Sequence, residues 1–286
     1  MILRLKRKQS SSNHDWIDVF EHIEDYVSRE ELDKAVATAI ADIREAASGK
    51  RAFYGWSGGK DSLVLSELCR EAGVNQCIFT RTNLEYPAFE RWAMEHLPEN
   101  CAVNNLGYNI DWLVENPEMV FPDAKHDQLW HRILQIRGYQ EANSRLHPDL
   151  IITGHRIADG NVCGKDHYIR KRSGEVRYAP LADWPHEMIL AYIHYHHIEL
   201  PPIYGWKDGW VNGTHTWAER GGKVDRMITW GEIYDIDRSI VCDAAAKLDS
   251  AAKFLSWMKR EACSPNESFE SVFARTQGIE GEVSRA

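Results

Sequence analysis

The 286-residue chain has no apolar run long enough to span a bilayer, no C-x-x-C pair among its six cysteines and no excess of positive charge. Each lack removes a class of protein. A spanning helix needs about 20 consecutive apolar residues, and the basic opening MILRLKRKQSSSN leads into no apolar core of the kind a secretory leader carries. Neither membrane insertion nor secretion is therefore expected, and the expected compartment is the cytoplasm. The cysteines at 69, 77, 101, 163, 242 and 263 are scattered, which predicts free thiols and denies zinc or iron–sulfur centres their best ligands. His194, His196 and His197 crowd one stretch, but no cysteine or carboxylate stands at ligand spacing, so no metal site is read there. A net charge of −9 argues against a surface coated for nucleic acid, and the patch Arg4, Lys6, Arg7, Lys8 reads as a solvated terminus. Internal repeats and low-complexity segments are also missing. What remains, 43% hydrophobic and 27% charged, is ordinary for a soluble globular protein.

Hydrophobic spacing divides the chain. Trp16, Val19, Phe20 and Ile23 make one stripe, and Ser28-Arg29-Glu30-Glu31 has the capping-box pattern of a second helix, so residues 15–48 read as a helical lead-in. Ala52-Phe53-Tyr54 reads as a buried strand. After it, Leu65, Leu68, Cys69 and Ala72 fall on one face of a helix closing at Gly73, and Gln76–Thr80 is the next strand. Strand, glycine turn, helix, strand is a right-handed βαβ unit. Pro87 opens a helix to about Leu97, Ala102-Val103 is a weak third strand, and 105–148 has no clear period. Asp149–Thr153 and Val176–Tyr178 are further strands, a helix runs from about Pro185 to His197, and the Gly-, Pro- and Trp-rich 201–222 reads as a long loop whose Tyr204, Trp206, Trp210 and Trp217 cover a core edge or stack a base. The predicted division is a helical extension over 1–50, an α/β domain over 51–235 and a helical tail over 236–286.

The turn itself is Gly55-Trp56-Ser57-Gly58-Gly59-Lys60-Asp61-Ser62. A Walker loop, G-x-x-x-x-G-K-[ST], does not fit, because only three residues separate Gly55 from Gly59-Lys60 and Asp61 stands where the hydroxyl belongs. The physics of an anion site survives. Glycines can take φ > 0 and turn N–H groups inward, and a helix starting next adds its positive end, at the carboxyl edge of a parallel sheet where such folds bind ligands.

Ser57–Ser62 resembles the SGGxDS signature of the PP-loop adenine-nucleotide α-hydrolases. Further segments resemble one of their families, the phosphoadenosine phosphosulfate (PAPS) reductases. Thr82–Pro87 is similar to its D-T-G-x-E-[FY]-P segment, Thr153-Gly154-His155-Arg156 with Asp159 to T-G-x-R, Pro180–Trp184 followed by Tyr192-Ile193 to P-L-x-D-W…Y-[IL], and Gly213–Thr216 to G-D-x-H-T. The resemblance spans roughly 52–217. It implies a Rossmann-like, HUP-type parallel sheet flanked by helices, and an adenine nucleotide, ATP with Mg2+ or PAPS, at the loop. It also implies a nucleotide site made of Ser57, Gly58, Gly59, Lys60, Asp61, Ser62, Thr82, Gly154, Arg156 and His215, with Lys60, Arg156 and Asp61 closest to the chemistry; Arg170 and Arg172 are added to it from the residues alone, as part of a basic run over 155–177 that begins at the carboxyl end of a strand beside the predicted anion site.

The pattern breaks at the thiol. The family's Glu-Cys-Gly-x-His segment has no counterpart; Cys242 and Cys263 are the late cysteines, neither with a motif, and Arg81 and Asn83 replace an aspartate and a glycine of the second segment. The reading preferred from these residues is an ATP pyrophosphatase that transfers AMP to a small molecule or a nucleic-acid base. Two others stand beside it: a PAPS or adenylylsulfate reductase using Cys242, and a nucleotide-binding module without catalysis. The N-terminal helices either pair two chains into a homodimer or lid the pocket.

Overall fold

A computed structural model describes residues 11–220 and 225–278. The basic patch at residues 4–8 and the tail after 278 lie outside the described residues. In chain order the elements are α1 (Asn13–Glu21), α2 (Arg29–Ala47), β1 (Ala52–Gly55), α3 (Lys60–Glu71), β2 (Gln76–Arg81), α4 (Pro87–Glu95) and β3 (Asn100–Asn105). There follow α5 (Ile110–Glu115), α6 (Ala124–His131), a π turn (Arg132–Arg137), α7 (Gly138–Leu146), β4 (Leu150–Ile152), β5 (Tyr168–Arg170) and β6 (Val176–Tyr178). The chain closes with α8 (His186–Tyr195), α9 (Gly209–Asn212), α10 (Arg226–Ile236), α11 (Arg238–Ala245), α12 (Asp249–Glu261) and α13 (Phe269–Thr276).

The sheet order is β3-β2-β1-β4-β6-β5, parallel except for β5. β4 is buried along its length and β1 over Ala52–Tyr54, as strands covered on both faces must be. Phe53 meets Ile78 and, from α7, Ala142 on one face. Tyr54 points the other way and shares a 3.0 Å hydrogen bond with Ser66 of α3. Helices therefore flank both faces, as the resemblance implied. The antiparallel β5 was not expected; the turn Lys171–Gly174, with Gly174 at φ +87°, folds it back on β6 as a hairpin.

By contacts the described chain forms two units. One takes the residues up to Arg81 with Pro87–Leu106 and Leu134–Thr214; the other takes Thr82–Tyr86, Gly107–Ile133 and the residues from His215 on. This cuts the chain elsewhere than the 1–50, 51–235 and 236–286 division. The N-terminal helices go with the sheet, since α1 and α2 pack on α8 and α2 on α3, burying Trp16, Ile23, Leu32 and Ile43 completely. The second unit is helical, with α10–α13 packed together around Trp230, Phe254 and Phe269.

Candidate functional site

The chain runs β1→β2→β3 to one side of β1 and then returns to place β4 on the other. The switch point between β1 and β4 is where open α/β sheets bind ligands, and two loops border it: 55–59 after β1 and 153–156 after β4. Gly154 brings them together, for a Cβ there would lie 3.4 Å from the Asp61 backbone. Gly58 makes the turn at φ +69°, with the Phe89 ring 3.1 Å from where its Cβ would stand. Gly59 then opens α3 without a side-chain cap, packed beside Thr214.

The chain's own oxygens hold most of the loop N–H groups. Ser57 N–H donates to Ser62 Oγ (3.0 Å), Gly59 N–H to Ser57 Oγ (3.4 Å), Ser62 N–H to Gly59 O (2.9 Å) and Lys60 N–H to Tyr204 Oη (2.9 Å). Burial, and after it the charge of Asp61, holds the Tyr204 phenol above its ordinary pKa, so this acceptor is neutral.

Both cations are buried. Lys60, 2% exposed, sets Nζ 2.7 Å from Asp61 Oδ2 and over the Trp16 indole at 5.3 Å. Arg156, 0% exposed, reaches Asp61 Oδ1 (2.8 Å), Asp159 Oδ2 (2.9 Å), Trp184 O (3.2 Å) and His186 Nδ1 (3.1 Å). Two cations and two carboxylates thus form a formally neutral network behind the loop. The Arg156 guanidinium, expected to reach a phosphate, has no exposed surface here and is held by Asp61 and Asp159. Asp61 and Asp159 both face cations, and no group of three or more His, Cys, Asp or Glu among the described residues could hold a metal. Among the described residues, the two carboxylates beside the loop are thus engaged by cations rather than offered to a metal ion.

Most of the other expected residues have partners of their own. Thr82 is buried, its N–H and hydroxyl both given to Glu85 Oε1 (2.6 and 3.0 Å), so it shapes a turn in which Asn83 takes φ +93°. Arg170 is exposed, paired with Asp166 (2.7 Å) and lying over Tyr168. It stands opposite Val176, the first residue of β6, hence at the amino edge of the sheet, three strands from β1. Arg172 lies in the hairpin beyond it. The structure does not bring either arginine to the loop, because the unexpected β5 carries them away from the carboxyl edge. His215 belongs to the second unit and pairs with Glu219 (3.0 Å). Cys242 and Cys263, also in that unit, are exposed. Among the loop aromatics, Trp210 packs on Trp16, Phe20 and Tyr204, whereas Trp217 packs on Trp230.

Four residues beside the loop went unassigned from the sequence: Trp16, Tyr204, His186 and Thr214. From the sequence Trp16 reads as part of an apolar helical stripe, His186 as a residue of the Pro185–His197 helix, Tyr204 as covering a core edge or stacking a base, and Thr214 as a member of the Gly213–Thr216 turn. A cleft of about 730 Å³ in the first unit does not open on the switch point; it lies between α3 and the end of α4, walled by Leu63, Arg70, Trp92, His96 and Glu199, and shares Trp56 with the loop.

A glycine turn of sequence SGGxDS at the switch point of a mostly parallel sheet defines a PP-loop adenine-nucleotide α-hydrolase, a superfamily of nucleotide-binding proteins. A family model described as phosphoadenosine phosphosulfate reductase domain matches residues 51–211, and the chain belongs to that family. None of the curated proteins compared with the chain matches it. Among solved structures it is similar to a PAPS reductase from Candida auris in a phosphate complex (16% identity, TM-score 0.49, covering 67% of this chain and 96% of that one). It is also similar to an NH3-dependent NAD synthetase from Campylobacter jejuni (15%, 0.42, 82% and 99%) and to an NAD+ synthetase from Burkholderia pseudomallei (18%, 0.38, 71% and 93%).

Proposed function

We propose that the chain is an enzyme that binds ATP at Ser57–Ser62 and cleaves it between the α- and β-phosphates. An acceptor oxygen or nitrogen attacks the α-phosphorus, the bond from that phosphorus to the bridging oxygen breaks, and pyrophosphate leaves with the bridging oxygen while the acceptor's proton passes to solvent. The acceptor is a small molecule or a nucleic-acid base. The observation that carries the reading is the left-handed Gly58 turn opening α3 at the β1/β4 switch point. Catalysis of this kind is positioning and charge stabilisation. The exposed Ser57 hydroxyl, the glycine amides and the positive end of α3 receive the pyrophosphate end, and Lys60 adds its charge on leaving Asp61. Arg156 is the positioning residue that keeps Asp61 and Asp159 in place.

The missing Glu-Cys-Gly-x-His segment favours this reading over sulfonucleotide reduction. Purified protein given ATP and Mg2+, with a nucleotide-depleted cell extract as the source of acceptor, is expected to release pyrophosphate, and Gly58→Val to release none. Sulfite from PAPS, lost in Cys242→Ser, would replace this reading with a reductase. ATP binding by calorimetry with neither product would leave a binding module.

A further inference from the structure

The first N–H of a helix has no partner inside it, and in α3 that group is the Lys60 amide, which donates to the Tyr204 hydroxyl. We propose that Tyr204 is the internal occupant of the loop's phosphate site: its phenol oxygen sits where an oxygen of a nucleotide's pyrophosphate group binds, and binding exchanges one oxygen for the other. The inference rests on the reading of the loop as a nucleotide phosphate site and names the residue that such a ligand displaces.

Three observations support the exchange. The phenol is neutral, whereas an ionised oxygen accepts a hydrogen bond roughly twice as strong and is favoured further by the helix dipole. The phenol is also delivered by a braced segment: the Tyr204 ring packs on Trp210 at 4.8 Å, Trp210 stacks on Trp16 at 6.3 Å, and Trp210 N–H donates to Asn13 Oδ1 at 2.9 Å. Helix α1 and the turn Pro202–Gly205 therefore hold the hydroxyl on the amide as a unit. Last, Lys60, the cation that a phosphate would draw, is engaged within the same closure, between Asp61 and the Trp16 ring.

The test is calorimetric binding of inorganic pyrophosphate, ATP and adenosine to the full chain, as wild type and as Tyr204→Phe. Freeing the amide of a competing hydrogen bond is expected to strengthen pyrophosphate and ATP about two- to tenfold. Adenosine, which carries no phosphate, is expected to bind both proteins equally. Asn13→Ala, which loosens the brace without touching the loop, should move pyrophosphate in the same direction by less. Pyrophosphate should also produce a tyrosine difference spectrum in the wild type that Tyr204→Phe lacks. Wild type that binds ATP, with no gain in either variant or with weaker binding in Tyr204→Phe, overturns the exchange alone. No binding of ATP or pyrophosphate by any of the three proteins overturns both the exchange and the nucleotide reading.

Discussion

Arg156 spends its guanidinium on Asp61, Asp159, the Trp184 carbonyl and His186 without touching solvent. Removing one member of a buried charged network leaves its partners unpaired, so Arg156→Met is expected to cost about 3–5 kcal/mol of stability. Urea denaturation measures it. Arg156→Lys should recover only part of the loss, because an ammonium cannot reproduce the planar fork that serves two carboxylates and a carbonyl together. A variant as stable as the wild type would show that the network contributes nothing. At this scale the sequence marked both Ser57–Ser62 and Arg156, which the structure sets 2.8 Å apart at Asp61, but not which way each cation faces. Adjacent residues on a helix do not face each other, so nothing in the spacing announced that Lys60, at the first position of α3, would turn onto Asp61 and lie under an indole from residue 16.

Among the elements, α13 is fastened by carboxylates. Asp235 accepts from the Phe269 and Glu270 N–H groups (2.6 and 3.1 Å), and Glu267 pairs with Arg275 and accepts from Cys263 N–H (2.7 Å). The Arg275 bond, then the Cys263 bond, lowers the Glu267 carboxyl from its ordinary 4.5 to about 2. A depressed carboxyl contributes stability in full above its unfolded pKa and loses it as pH falls through the folded one. The docking of α13 is therefore expected to weaken between pH 4.5 and about 2, and Arg275→Gln to flatten that part of an acid titration followed by near-ultraviolet circular dichroism. Identical wild-type and variant titrations would refute it. Elements were legible where their signal was local. The turn after β1 and the end of α3 at Gly73, at φ +88°, needed only neighbouring residues. The stretch 105–148 defied periodicity because its longest helical run passes through the π turn Arg132–Arg137, which breaks the 3.6-residue repeat. Strand β5 is three residues long and exists by pairing with β6, a partner no single window reveals.

Over the whole molecule, the N-terminal helices are structural members of the sheet's unit. Trp16, Ile23, Leu32 and Ile43 are all 0% exposed, and each fully buried large side chain contributes about 1.5–3 kcal/mol by burial. A chain lacking residues 1–48 is expected to lose cooperative folding, read as a featureless thermal melt by far-ultraviolet circular dichroism and as aggregation on size exclusion. Retention of the wild-type melting temperature would show that residues 1–48 are dispensable for the fold. The sequence showed that these helices own an apolar face but not what covers it, because the covering residues on α3 and α8 lie far along the chain. Composition and the absence of a long apolar run were read directly, and no described helix is long and apolar enough to cross a membrane.

The indole of Trp16 lies 5.3 Å from the Lys60 ammonium. That nearness gives the chain a native optical reporter at the spot where a polyphosphate is proposed to arrive. Emission from this one ring, isolated by subtracting a Trp16→Phe blank, would register the lysine leaving its seat in real time and without any attached dye.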